Sequence, residues 1–226
     1  VIDMAWGMHE PSSFGAFFPE VSYVGWYEEL RRQYFEELTD AEKAKLGMTR
    51  SFDLTNFTNR FRNEHGEVRQ EWCPKEFRTA KGYKTLGSLI MLNGGLLAVD
   101  EGLKLLIEEL EPGVHQFWPI KISMPRNKVY PGNYYGLRIG QFLDTFNPDH
   151  SKDGCYRIEG YENYRGIAPI KKAITGLAVS HDAIGGAHLW REQKLSQPDI
   201  FLSDTLEASA AKQGLRLPKH YQMKEV

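Results

Sequence analysis

The stretch LIMLNGGLLAVDEGLKLLIEELEPG, residues 89–113, holds a strand, a turn, a second strand and a helix in one run. Apolar residues on either side of Asn93-Gly94-Gly95 predict two short strands, because these turn residues supply the positive φ that tight hairpins need. Asp100 follows directly, at the place where a side-chain oxygen accepts a free backbone N–H at the start of a helix. Leu103, Leu106, Ile107 and Leu110 then recur at offsets of three, four and seven, which is one helical face, and Pro112-Gly113 ends it. A strand that passes straight into a helix in this way implies sheet and helix around a shared core.

Further along, IFLSDTLEASAAKQGL repeats the design: an apolar strand, Ser203 or Asp204 as N-cap, Glu207 in the first turn, Lys212 in the last, and Gly214 as the stop. Two such units are too few for a repeat architecture, but they predict two strand-to-helix hinges in one mixed domain. HQFWPIKISM and NYYGLRIGQF alternate with the period of strands, and Pro119 restricts the former to a sheet edge or a bulge. AHLWR and DIFLS read as short strands, the first entered through a Gly185-Gly186 turn. FNPDHSKDGC is a loop, while IKKAITGLAVS fits a short helix and a strand pair equally well.

Upstream, GWYEELRRQYFEEL is an amphipathic helix, with Glu28 four residues before Arg32 for an ion pair. TDAEKAKLG adds a second helix, with a Thr39/Glu42 capping box and Gly47 at its end. The expected fold class is α+β: a mixed, mostly antiparallel sheet with short helices packed against it and a helical amino-terminal part. Residues 1–85 read as a helical and irregular extension packed on the core, and residues 86–226 as the α+β domain itself.

The chain has 226 residues, 41% hydrophobic and 26% charged, which suits one dominant globular core. A formal charge of −2 argues against a general polyanion binder. Residues 50–85 mix basic and acidic side chains with Phe57, Phe61, Trp72 and Phe77. Those rings suit stacking on bases, but they read better as anchors of an irregular segment, so no nucleic-acid partner is expected. Cys73 and Cys155 are too far apart in sequence for a CxxC redox pair or a cysteine zinc site, and a reducing, cytoplasmic setting is expected. No apolar run approaches the length of a membrane span, the first residues lack the pattern of a signal peptide, and no membrane partner is expected. The sequence does not specify an oligomeric state.

Chemistry is harder to read. His181, Asp182, His188 and Asp204 are the candidates for a histidine–acid site, with Ser203 as a conceivable nucleophile, and this is the alternative reading as a hydrolase or transferase. No GxSxG elbow is present, and a serine that opens a helix is already occupied with backbone N–H groups. Ser203, Asp204 and Asp100 are therefore expected as structural caps and no residue as catalytic. The seven histidines form neither HxxxH nor HExxH, so no metal or cofactor is expected. Alternation places His188 and Trp190 on one strand face and Leu189 and Arg191 on the other, with burial the expected fate of Trp190.

LLAVDEGLKLLIEEL, YYGLRIGQFLDTFNPDHS, AIGGAHLWRE and IFLSDTLEASAAKQGLRL together resemble, in order and spacing over roughly residues 86–218, the bacterial immunity protein eleven family of polymorphic toxin systems. The resemblance implies a non-enzymatic protector that binds a cognate toxin or effector protein through surface complementarity. His188, Trp190, Arg191 and Asp182 are the residues to test for contact with that partner.

Overall fold

Residues 89–92 and 200–202 are buried without interruption, so their side chains fill space on both faces of the strand. This double burial sets the architecture. The computed structural model describes residues 4–63, 68–161, 163–168 and 170–226. Its strands are β1 (Ala5–Met8), β2 (Val21–Tyr23), β3 (Glu76–Thr79), β4 (Leu89–Met91), β5 (Leu97–Asp100), β6 (Gln116–Met124), β7 (Lys128–Val129), β8 (Tyr134–Arg138), β9 (Phe142–Leu143), β10 (Tyr156–Gly160), β11 (Asn163–Gly166), β12 (Ala178–Val179), β13 (Leu189–Glu192), β14 (Ile200–Ser203), β15 (His220–Gln222) and β16 (Lys224–Glu225). Its helices are α1 (Trp26–Glu36), α2 (Asp40–Lys45), α3 (Leu54–Arg60), α4 (Glu101–Leu110), α5 (Lys171–Ile174), α6 (His181–Ile184) and α7 (Asp204–Lys212).

One sheet runs β2-β3-β6-β8-β5-β4, with β7 paired to β6, and the other runs β15-β1-β14-β13-β9. The fold is α+β and sheet-rich. Both sheets are mixed: β3 pairs with β6, and β9 with β13, in parallel, while the remaining ladders of these two sheets are antiparallel. The two strand-to-helix hinges are formed as expected: Asp100 accepts the Leu103 N–H at 2.9 Å and Ser203 Oγ the Leu206 N–H at 3.1 Å.

Alternation along the strands divides the apolar residues among three cores. Leu89, Val99, Leu137, Leu189 and Leu202 meet between the sheets, together with Leu103, Leu106 and Ile107 of α4 and Leu206 and Ala210 of α7. On the outer face of the larger sheet, Ile90, Ala98, Trp118 and Ile122 pack against Trp26, Leu30 and Tyr34 of α1 and against Phe57, Phe61, Trp72 and Phe77. Those four rings are at most 5% exposed, so they are anchors and not a stacking platform. On the outer face of the smaller sheet, Trp190 and Phe201 join Phe146, Ile174, Leu177 and Leu195.

The amino-terminal segment supplies sheet as well as helix, since β1 lies between β14 and β15, and β2 pairs with β3 at one edge of the larger sheet. Residues 170–180 form a short helix, α5, followed by the single strand β12, which pairs with β16, so the helix is formed and the strand pair is not. The expected Glu28–Arg32 pair is replaced: Arg32 reaches Glu29 at 2.8 Å and Glu37 at 2.7 Å, both better placed for its guanidinium fork. Pro119 lies within β6, a strand paired on both sides, yet it breaks no ladder. The Lys121 N–H donates to Lys75 O at 2.8 Å, so position 119 faces the same side, two residues before the β3 ladder begins at Lys121.

Gly136 in β8 makes room for the buried Trp118 ring. A Cβ at residue 136 would lie 2.0 Å from the indole, which is held by its own N–H donating to Pro74 O at 3.0 Å. Gly136→Ala is therefore expected to cost about 1–3 kcal/mol by overpacking. Urea denaturation checks this, and an unchanged midpoint would contradict the packing described.

Candidate functional site

Strand β13 carries most of the residues singled out from the sequence, and two buried carboxylates hold it at its ends. At the start is Glu111, the residue that closes α4. Its Oε1 accepts the His188 N–H at 2.7 Å and Gln141 Nε2 at 2.5 Å. Its Oε2 accepts the Leu189 N–H at 3.0 Å and His115 Nε2 at 2.7 Å. His115 Nδ1 accepts the Gly140 N–H at 3.1 Å, which leaves Nε2 as the nitrogen that donates to Glu111. Burial alone would raise the Glu111 pKa, but the donors from His115, His188 and Gln141 outweigh it and hold the carboxyl below its ordinary value.

At the other end, Glu192 Oε2 accepts the Thr145 N–H at 2.7 Å, the Thr145 hydroxyl at 2.5 Å and the Phe146 N–H at 3.2 Å, while Oε1 accepts the Lys194 N–H at 3.0 Å. Here burial prevails and the carboxyl is shifted upward despite these bonds. Trp190 lies between the two clamps, fully buried, its N–H donating to Thr145 Oγ1 at 3.2 Å.

His188 is half-buried, and its Nδ1 lies 2.7 Å from Ser203 Oγ, the same oxygen that caps α7. His181, His188, Ser203 and Asp204 line one cavity of about 80 Å³. They do not build a relay there. His181 Nδ1 meets Glu225 at 2.5 Å, Asp204 accepts the Trp6 indole N–H at 3.1 Å, and Asp182 is exposed in the first turn of α6. Among the described residues no carboxylate pairs with the second nitrogen of His188, and none of their His, Cys, Asp and Glu side chains form a group of three able to hold a metal ion. Cys73 and Cys155 are both free and buried.

Arg191 is buried beneath a charged cleft that sequence reasoning missed. Its Nη1 lies 2.5 Å from Asp199 Oδ2, and Arg62 crosses above, its Nη2 3.7 Å from Asp199 and 3.8 Å from Glu10. Gly95 allows that crossing, since a Cβ there would lie 2.5 Å from Arg62 Cδ. Burial and the neighbouring Asp199 raise the Glu10 carboxyl pKa. Arg62 and Arg191 line both of two cavities, about 220 and 410 Å³, and the buried Arg191 Nε and Asp199 Oδ1 have no hydrogen-bond partner among the described residues. Glu10, Arg62 and Asp199 are far apart in sequence and share no motif, so no local signal joins them.

The clamps have a measurable pH signature. A Glu111 pKa depressed on folding stabilises the native state fully above the unfolded value of about 4.5, and that contribution is lost as pH falls through the folded value. Glu192 and Glu10 are raised and act in reverse: their contribution is present below about 4.5 and is lost as pH rises through their folded values. Glu111→Gln leaves buried donors unsatisfied and is expected to cost about 3 kcal/mol at pH 7. It should also lose less stability than the parent chain when the pH is lowered from 5 to 3. Urea titrations at both pH values test this, and equal acid losses in the two proteins would remove Glu111 as the titrating group.

Glu111 and Glu192 lie in the part of the chain that resembles known sequences, and Glu10 lies upstream of it. A model of the Immunity protein family (Imm11) matches residues 56–224, about three quarters of the 226 residues, and so extends some thirty residues upstream of the stretch in which the resemblance was first legible. A search of curated proteins returned no match. The match spans most of α3, both strand-to-helix hinges, Glu111 and the whole of the clamped strand, and the chain belongs to the Immunity protein family (Imm11).

Proposed function

We propose that this chain is a non-catalytic immunity protein that binds and neutralises a cognate bacterial toxin or effector in the cytoplasm of the producing cell. Its family membership is the observation that carries this reading. The geometry supports it, because the polar groups most suggestive of catalysis are committed to architecture. Ser203 caps α7, Glu111 and Glu192 hold backbone amides, and Trp190 fills a core. A surface carried on so firmly clamped a scaffold loses little conformational freedom on binding, which favours tight complexes.

Of the contact candidates, Asp182 is exposed and His188 half-buried, and both have surface to offer. Arg191 is buried at the floor of the cleft, and the charged groups there that a partner would meet are Arg62 and Glu10. Trp190 acts as the scaffold behind them.

The test is growth of cells that express the toxin encoded beside this chain, with and without the chain. Protection is expected with a stable one-to-one complex, and His188→Ala should retain protection wherever it still forms the complex, because no chemical step depends on the imidazole. Protection lost in His188→Ala, with folding and complex formation intact, would favour the hydrolase or transferase reading. No protection by the parent chain would sink the immunity reading.

A further inference from the structure

β10 and β11 form a two-stranded sheet of their own, outside the two large sheets. The base of this hairpin is firmly rooted. Tyr156 and Tyr164 stack about Phe146, with ring centroids 5.1–5.7 Å apart, at the edge of the core outside the smaller sheet. Beyond that root the cover stops. Ile158 shares the tyrosine face, paired across from Tyr164, yet is 71% exposed, and Tyr161 at the turn is 93% exposed. Ile167 and Ile170 on the return toward α5 are each 55% exposed.

Eleven large apolar side chains are exposed among the described residues, and four of them fall between positions 158 and 170. Single exposed apolar residues are ordinary, but a cluster on one projecting element marks an interaction surface. Charge gives the surface a sign. The glutamate at 159 is shared by Arg157 at 3.2 Å and Arg165 at 3.5 Å, so one carboxylate serves two guanidinium groups. Lys171 and Lys172 follow, both exposed, and among the described residues neither forms an ion pair. Residues 152–172 hold five basic and three acidic side chains, whereas the whole chain has a formal charge of −2. The hairpin itself, residues 156–166, holds two basic and two acidic side chains, so the basic excess beside its apolar side chains is that of Lys171 and Lys172 at the start of α5.

We propose that the β10–β11 hairpin and the start of α5 are the docking surface for the cognate toxin, and that the toxin presents an acidic face with an apolar recess. This rests on the immunity reading above. The exposed apolar side chains fill the recess and set the dissociation rate, while Arg157, Lys171 and Lys172 steer the encounter.

The probe is the toxin encoded beside this chain, in an inactivated form, with association and dissociation rates measured at 50 and 300 mM salt. Ile158→Ser with Tyr161→Ser is expected to raise the dissociation rate at least tenfold. Lys171→Glu with Lys172→Glu is expected to slow association at least fivefold at low salt and to flatten its salt dependence. Phe35→Ser, at a 59% exposed site on α1, should leave both rates unchanged. All these positions are exposed, and unchanged thermal melting establishes that the variants fold. A parent chain that binds and protects, with hairpin variants that do so equally well, overturns the docking surface and leaves the immunity reading standing. A change in self-association with unaltered toxin binding overturns it too, by assigning the hairpin to a second copy of this chain. A parent chain that neither binds nor protects overturns the immunity reading and the docking surface together.

Discussion

The rest of the structure depends on one carboxylate. Glu111 stands at the carboxyl end of α4, where the helix dipole disfavours negative charge, and it is buried as well. Both local rules argue against an acid at this position. What keeps it ionised is four donors from three other parts of the chain: His115 at the start of the next strand, Gln141 before β9, and the two backbone amides of residues 188 and 189. The helix that rises from the larger sheet is thereby tied to the central region of the smaller one. Without that tie, α4 and α7 would still share apolar surface and Ser88 would still bond Arg216, but β13 would lose its anchor to α4.

Glu192 repeats the principle at the far end of the same strand, gathering the amides of residues 145, 146 and 194. Loops lack a ladder to satisfy their backbone groups, and a buried carboxylate that accepts several N–H bonds does the work of a missing strand. The two glutamates differ in outcome because the balance between burial and donors differs, and only at Glu111 do the donors prevail. Between the clamps, β13 has little freedom to move, so Leu189 and Trp190 point into separate cores without slipping register.

What was legible in the sequence is what local rules decide. Asp100 and Ser203 as caps, Thr39 with Glu42 as a capping box, and the turn at residues 93–95 each rest on interactions spanning three or four residues. The failures are all tertiary. β1 is four residues long with a glycine inside it, and only its neighbours β14 and β15 make it a strand. Pro119 signals an edge, and nothing nearby in sequence tells that the edge is a short unpaired stretch of an otherwise interior strand. Arg62, Glu10 and Asp199 meet from three distant places, and Glu111 reads as one more acid on a helix already rich in them.

That division bears on how such a chain can be specific. The elements most legible in sequence, the hinges and the strand around residues 188–192, are those whose polar groups are used up internally, and they offer a partner little beyond shape. The surfaces left open to a partner are the cleft over Arg191, with the part-exposed Arg62 and Glu10, and the exposed part of β10 and β11. Neither is needed to complete a core. Substitutions at Ile158 or Tyr161 leave the Tyr156–Phe146–Tyr164 root intact, so this surface can change without loss of the fold, whereas a change at Glu111 cannot be absorbed in that way. A scaffold that keeps its rigid polar clamps apart from its exposed apolar tip can retarget the tip to a new toxin while the clamps go on specifying the same fold.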